Sequence, residues 1–178
     1  MGLASLLKEA AAGRNIPPLE RWNPAFCGEI DIRIARDGTW FHQETPIRRK
    51  EIVRLFSTIL RREKDDYFLV TPMEKMRIQV EDVPFMAVLL DRFGEGSRQR
   101  LVFTTNVGDE VTAAGANPIR IASEAGAPAP YIHIRRGLEA RISRNVFYQL
   151  ADIAVPADDP HLAGVWSEGH FFVLGPVE

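Results

Sequence analysis

Hydrophobic and polar residues alternate in a segment of the chain that then continues with a helical pattern. In GEIDIRIARDGTWFH the isoleucines occupy every second position from 30 to 34, and Asp37-Gly38 follows as a turn signal, so the segment predicts a two-stranded ribbon. In PIRRKEIVRLFSTILRRE the apolar residues recur at the spacing of one helix face, and Thr45-Pro46 is typical of a helix N-terminus. The short apolar segment YFLV (67–70) predicts a closing strand.

A shorter version of the same order returns near the C-terminus. PYIHIRRGLEARI predicts a second ribbon around Gly137, SRNVFYQLADIAV a helix capped by Ser143, and HFFVLG a closing strand. Aligning the copies pairs Ile32 with Ile132 and the segment YFLVTP with FFVLGP. We therefore predict an internal duplication. The identity is low, and chance recurrence of strand–turn–strand–helix–strand stays open as the alternative.

The rest of the pattern is mostly β. Strands are predicted in KMRIQVED, PFMAVLLDRF, LVFTTN, EVTA and IRIA, a short helix over 3–12, and loops in EAGAPAP (124–130) and ADDPHLAGVWSEG. The predicted fold class is α+β, with two related β-rich subdomains over residues 1–77 and 78–178. Each would hold a strand ribbon, one main helix and a closing strand. Two stacked units would leave a groove between them, which is a favoured place for a small ligand.

Composition narrows the class of protein. The 178 residues are 46% hydrophobic and 26% charged, which is typical of a globular chain, and the net charge of −2 gives no global attraction to nucleic acid or to anionic membrane. Cys27 is the single cysteine, which excludes a disulfide within the chain and suits a reducing compartment. No apolar run reaches membrane-spanning length. We expect a cytoplasmic protein with no nucleic-acid or membrane partner.

No motif for a particular reaction is present. The four histidines lie far apart without metal-ligand spacing, no serine has the glycine-flanked setting of a nucleophile, and Gly94-Glu95-Gly96 lacks the third glycine of a phosphate loop. We therefore expect no cofactor and no metal. Hydrolysis through Glu74, Glu81 or Asp82 is kept as the least favoured alternative.

Polar residues near predicted strand ends suggest a binding site instead. Eighteen of the 22 basic residues are arginines, so an anion would meet a guanidinium fork. Arginines would hold phosphate or carboxylate oxygens, other polar side chains would give specificity, and an aromatic ring would stack on a flat ligand. The candidate ligand-binding residues are Arg49, Thr71, Glu74, Lys75, Phe85, Asn106, Asn117, Arg120 and Arg135. Local ion pairs and solvated strand faces are the simpler explanations of the same residues.

The segments that carry a resemblance to a known family are GEIDIRIARDGTWFHQETPIRRKEIVRLFSTILRRE, YFLVTPMEKMRIQVEDVPF, FTTNVGDEVTAAGANPIRI and PYIHIRRGLEARISRNVFYQL. The chain resembles the bacterial family catalogued as domain of unknown function 1285 over about residues 16–176. The resemblance implies a duplicated α+β core whose C-terminal part is a curved sheet like that of pleckstrin-homology folds. It also implies a site for a nucleotide-like molecule at the subdomain interface and a role in signal transduction, with no established activity. We predict a cytoplasmic ligand-binding or sensing module. The alternative is a protein-interaction adaptor using Trp166, Phe171 and Phe172.

Overall fold

The structure is a computed structural model that describes residues 16–177. The helix predicted over 3–12 lies outside the described residues. The chain divides after Pro84 into two compact units. The predicted boundary after residue 77 falls within the strand Glu74–Val80, which pairs with strands of the first unit.

The first unit is one six-stranded sheet with a single α-helix. After a short 3-10 helix (Leu19–Arg21), its elements are β1 (Phe26–Ile34), β2 (Trp40–His42), β3 (Thr45–Pro46), α1 (Lys50–Thr58), β4 (Leu60–Glu63), β5 (Asp66–Val70) and β6 (Glu74–Val80). The strand order is β3-β2-β1-β6-β5-β4, and all neighbours are antiparallel except β1 and β6, which run parallel.

Alternation along β1 explains the core of this unit. Ile32 and Ile34 are buried on one face of the ribbon, as predicted. Trp40 is also buried, and its ring stacks on Phe56 of α1 with ring centroids 6.2 Å apart. The helix therefore covers the ribbon through an aromatic pair.

The predicted start of α1 is wrong. Thr45 and Pro46 form β3, which pairs with β2, and the N-cap position belongs to Arg49, which makes no side-chain capping bond. Gln43 and Glu44 both have positive φ, the geometry of a two-residue hairpin turn, and this turn returns the chain antiparallel to β2. Hairpin pairing thus replaces the cap that the Thr-Pro pair indicated locally.

The second unit has two sheets and one α-helix. Its elements are β7 (Phe85–Phe93), a 3-10 helix (Gly96–Arg98), β8 (Arg100–Thr105), β9 (Glu110–Thr112), β10 (Ile119–Glu124), β11 (Ala127–Arg135), β12 (Leu138–Ile142), α2 (Arg144–Asp152), β13 (Val155–Pro156), β14 (Leu162–Ser167) and β15 (His170–Pro176). The larger sheet has the order β10-β11-β12-β7-β8-β9, with β12 and β7 parallel, and the smaller one is β13-β14-β15.

The predicted helix after the second ribbon is confirmed, whereas the two predicted loops are wrong. Ser143 caps α2, since its side chain accepts a hydrogen bond from the Val146 N–H at 3.3 Å. The segment 124–130 is the β10–β11 hairpin with its turn at Ala125-Gly126, and β14 lies in the other predicted loop. Glycine and proline indicated loops there, but cross-strand pairing accommodates both residue types.

The small sheet is fastened to the larger one by buried polar contacts. The Gln99 side-chain amide donates to the Trp166 carbonyl at 2.8 Å, and the Ser167 hydroxyl oxygen accepts from the Leu101 N–H at 3.0 Å. Gln99 and Ser167 are both buried. Because buried polar groups are costly when unpaired, these bonds fix where the last hairpin lies on the sheet.

The order of elements confirms two related halves in an α+β fold. Each unit has a ribbon, then one nine-residue α-helix, then antiparallel strands. The halves differ in what completes the ribbon's sheet: β4, β5 and β6 follow the helix in the first unit, whereas β7, β8 and β9 precede the ribbon in the second. The aligned segments YFLV and FFVL therefore lie in different sheets: YFLV is in the six-stranded sheet of the first unit, and FFVL is in the three-stranded sheet of the second.

Candidate functional site

Three of the nine candidate residues meet at one end of the larger sheet in the second unit. Asn106 and Met86 exchange two hydrogen bonds: the Asn106 N–H donates to the Met86 carbonyl at 2.8 Å, and the Asn106 Oδ1 accepts from the Met86 N–H at 3.0 Å. The Arg135 guanidinium lies over the Phe85 ring, 5.0 Å from its centroid, and Nη1 is 2.9 Å from Asp109 Oδ2. The strand ends thus bring residues 85, 106 and 135 into one cluster.

The electrostatics of this cluster describe a satisfied ion pair. Burial lowers the pKa of the Arg135 guanidinium, and the Asp109 carboxylate opposes that shift. Arginine starts so far above neutrality that Arg135 stays charged. Since Asp109 already neutralises the guanidinium, a phosphate would have to displace this carboxylate. The geometry therefore favours a structural role for Arg135.

Two further candidates in this unit hold the sheet together. Arg120 makes a bidentate pair with Glu139, with nitrogen–oxygen distances of 2.8 and 2.9 Å, and its guanidinium lies 4.4 Å from the centroid of the Tyr131 ring. The Asn117 side-chain amide donates to the His133 carbonyl at 2.9 Å and to the next carbonyl at 3.0 Å. Asn117 thereby pins the β9–β10 loop onto β11.

In the first unit, Thr71, Glu74 and Lys75 surround the β5–β6 turn. The Thr71 hydroxyl oxygen accepts from the Glu74 N–H at 3.1 Å, and the Lys75 ammonium lies 2.9 Å from a Glu63 carboxylate oxygen and 4.8 Å from the Phe68 ring centroid. The hydrogen bond from Lys75 is the main cause that lowers the pKa of Glu63. Lys75 is thus held in an ion pair with Glu63 of β4, twelve positions earlier in the chain. Glu74 is only 6% exposed.

Arg49, the remaining candidate, is exposed. It lies at the N-terminal end of α1 beside Arg48, Lys50 and Arg54, and all four side chains are exposed. None of the four forms an ion pair with a residue in the described part of the chain. They form a solvated basic face on the helix.

Glu81, one of the carboxylates considered for hydrolysis, is held by two structural partners. Glu81 lies 2.7 Å from the Arg33 guanidinium and accepts the Arg36 N–H at 2.9 Å. The backbone hydrogen bond from Arg36, followed by Arg33, lowers the pKa of Glu81, so this group is ionised near neutrality and is a poor general acid. Among the described residues there is no group of three or more His, Cys, Asp or Glu that would hold a metal ion.

The second unit contains a groove that was not predicted from the sequence. Its volume is about 930 Å³, and it lies between the β10–β11 hairpin, helix α2 and the end of β15. Small residues make much of its surface, and the large side chains come from each wall: Ile121, Phe147, Tyr148 and Leu174. Tyr148 is 59% exposed. The other lining residues are Ala122, Ser123, Gly126, Ala127, Pro128, Ala151, Ala154, Ala163, Gly175, Pro176 and Val177.

Neither α1 nor α2, the α-helices found within residues 16–177, is long and apolar enough to cross a membrane.

Fold and site together define a duplicated α+β protein with a groove in its second unit. Residues 17–83 match the family described as Domain of unknown function (DUF1285), N-terminal domain, and residues 84–174 match Protein of unknown function (DUF1285), C-terminal domain. The chain belongs to the DUF1285 family, as its sequence segments predicted.

Solved structures agree with this assignment. The chain is 52% identical to a DUF1285 family protein from Silicibacter pomeroyi DSS-3, with a TM-score of 0.90 over 97% of this chain and 95% of that one. A DUF1285 family protein from Shewanella baltica OS155 is 29% identical, with a TM-score of 0.56 over 68% of this chain and 90% of that one. Comparison with curated proteins finds no similar protein.

Proposed function

We propose that this chain is a ligand-binding or sensing module without catalysis of its own, and that the groove of the second unit is its binding site. The carrying observation is the groove itself: its volume of about 930 Å³ falls in the range of roughly 300–1,000 Å³ common for small-molecule sites. Its surface is largely apolar and includes the exposed ring of Tyr148. By contrast, Arg120 and Arg135 are already paired with carboxylates.

The groove favours a ligand with a flat or apolar body. A nucleotide-like molecule, the class that the family resemblance implies, would place its base against the Tyr148 ring by offset stacking. Such a ligand would contact a hairpin, a helix and the last strand together. Binding would therefore stabilise the second unit, and that stabilisation is the basis of a sensing role in signal transduction.

A thermal-shift screen with nucleotides and nucleosides tests this proposal. A ligand at 100 times its dissociation constant adds about 2.7 kcal/mol to the free energy of unfolding. We expect a shift for the wild type that is absent in Tyr148→Ala. Gln149→Ala is the matched control, because Gln149 is the exposed next residue of α2 and does not line the groove. Equal shifts in all three proteins would place the ligand elsewhere, and no shift with any compound would refute the nucleotide version.

A protein-interaction adaptor is the second candidate, favoured by one exposed strand. The aromatic residues predicted for this role pack within the small sheet. Phe172 is buried, and the rings of Trp166 and Phe171 pack edge to face with their centroids 5.1 Å apart. On β7, however, Leu89 is 58% exposed, and beyond Ala87 this strand pairs only with β8 among the described strands. Its other edge suits an extended segment of a partner protein.

Site-specific photo-crosslinking distinguishes the adaptor. A crosslinking residue at Leu89 should yield a discrete adduct in the cell of origin, and one at Glu110, exposed on β9 of the same sheet, should not. Identical adduct patterns from the two positions would remove the β7 edge as a specific surface.

A further inference from the structure

We propose that the groove of the second unit selects an amphipathic anion, whose apolar or flat body lies in the groove and whose carboxylate, sulfonate or phosphate head pairs with Arg144. This inference rests on the proposed function, because it names the ligand class for the same groove.

Arg144 stands one helical turn from the groove. It is the first residue of α2, four positions before Tyr148, which lines the groove. Residues four apart share one helix face, with roughly 6 Å between their Cβ atoms. The apolar stem of an arginine can follow that face while its guanidinium stays in water at the rim.

The Arg144 guanidinium is available for a ligand. It is exposed and forms no ion pair with any residue between 16 and 177. The nearby Arg141 differs, because it lies 2.9 Å from a Glu124 carboxylate oxygen. Arg144 is therefore the basic group beside the groove that can take an anionic head without displacing a carboxylate.

One acidic residue on the same helix face defines the competing ligand class. Asp152 lies four positions beyond Tyr148 at the end of α2 and is exposed. A cationic head would use Asp152 in the way that an anionic head uses Arg144. The Asp152 side chain is short and stays close to its own backbone, whereas arginine is long enough to extend over the rim, so the reach of the side chains favours the anion.

Fluorescence titration with 1-anilinonaphthalene-8-sulfonate, an aromatic sulfonate, tests the inference on the full chain. The wild type and Gln149→Ala should bind it equally, and Tyr148→Ala should lose binding. Arg144→Gln should weaken binding about tenfold, since a hydrogen bond to a charged group contributes roughly that factor. Asp152→Asn should bind as tightly as the wild type or slightly more tightly.

Competition against the bound sulfonate identifies the head group and the body. Decanoate should displace it and decan-1-ol should not, while decylammonium should compete poorly. Adenosine monophosphate against adenosine repeats the comparison with an aromatic body, so the two pairs distinguish an aliphatic ligand from a nucleotide. Circular dichroism of each variant verifies its fold.

The outcomes separate the two proposals. Displacement by decan-1-ol or decylammonium as effective as by decanoate, or wild-type affinity in Arg144→Gln, overturns the anion inference and leaves the groove as a binding site. Wild-type affinity in Tyr148→Ala, or no binding of any probe by the wild type, overturns the proposed function and the inference with it.

Discussion

Alanine in place of Gly164 should destabilise the small sheet of the second unit. Gly164 is buried in β14, and a Cβ atom there would clash with the Phe172 carbonyl oxygen and lie 2.9 Å from two atoms of the Phe171 ring. The ring could rotate, but the carbonyl belongs to the backbone of the paired strand β15. The new methyl group can be accommodated only if the two strands separate.

The expected cost lies at the upper end of the range for overpacked sites. Overpacking costs roughly 1–3 kcal/mol where side chains can move, and here backbone must move, so we expect about 3 kcal/mol. With a urea dependence of about 2 kcal/mol per molar, the unfolding midpoint should fall by about 1.5 M. Intrinsic tryptophan fluorescence reports the transition, because Trp166 lies in β14 itself.

Gly115→Ala is the matched control for the same chemical change. Its added Cβ would meet only the imidazole of His170, at 3.1 Å, and that side chain is exposed and contacts the Glu168 carbonyl and the Phe172 ring, so the ring can shift by a few tenths of an ångström while the backbone stays in place. We expect the control to stay within about 0.5 kcal/mol of the wild type, since small strain and reduced chain entropy nearly cancel. A Gly164→Ala variant as stable as Gly115→Ala would contradict the close strand approach.

Three further predictions concern polar contacts. Ser167→Ala leaves the buried Leu101 N–H without its acceptor and should cost about 1–3 kcal/mol in urea unfolding; a loss below about 0.5 kcal/mol would mean that water replaces the hydroxyl. Ser143→Ala removes the cap of α2 and should cost about 1 kcal/mol, with reduced far-ultraviolet helical signal on heating; an unchanged melt would contradict the cap. Because Lys75 lowers the folded-state pKa of Glu63, the unfolded state binds the proton more readily, and stability from this pair is lost as the pH falls through that folded pKa. Wild type should therefore exceed Glu63→Gln in stability at pH 7 and lose this advantage as the pH falls below the ordinary glutamate pKa of about 4.3 and through the lower folded-state pKa, whereas a pH-independent difference would refute the ion pair.

Regular alternation allowed much of the fold to be predicted. The ribbons, the strands β5 to β12 and helix α2 follow local patterns of apolar residues, and Ser143 marks the start of α2 by its own side-chain bond. Where the prediction failed, distant pairing determined the conformation. Gln43-Glu44 forms a hairpin turn without the usual Asn-Gly signal, and nothing in the local sequence distinguishes Thr45-Pro46 as a strand from a helix cap.

The β10–β11 hairpin shows the same limit for proline. Pro128 and Pro130 both lie in β11 and pair with β10, although proline usually marks a loop. They are two positions apart, so their nitrogens point to the same edge of the strand. The neighbouring strand β12 pairs only with residues 131–135, which leaves that edge without a ladder at the prolines. A missing N–H therefore costs no hydrogen bond there.

The candidate site was harder to predict because a charged side chain can already be paired within the protein and is then not available to a ligand. The chemistry of Arg120 and Arg135 predicted a ligand site, but their carboxylate partners lie 19 and 26 residues away and become neighbours only through strand pairing. The groove could not be predicted for a different reason. Many of its lining residues are alanine, glycine or proline, which do not indicate a binding site locally, and the groove forms only where a hairpin, a helix and a strand come together. Tyr148 and Arg144 are exposed residues of helix α2. What distinguishes them is that one lines the groove and the other stands beside it unpaired among the described residues, which is why ligand selectivity in this chain is best tested at α2 rather than at its many paired arginines.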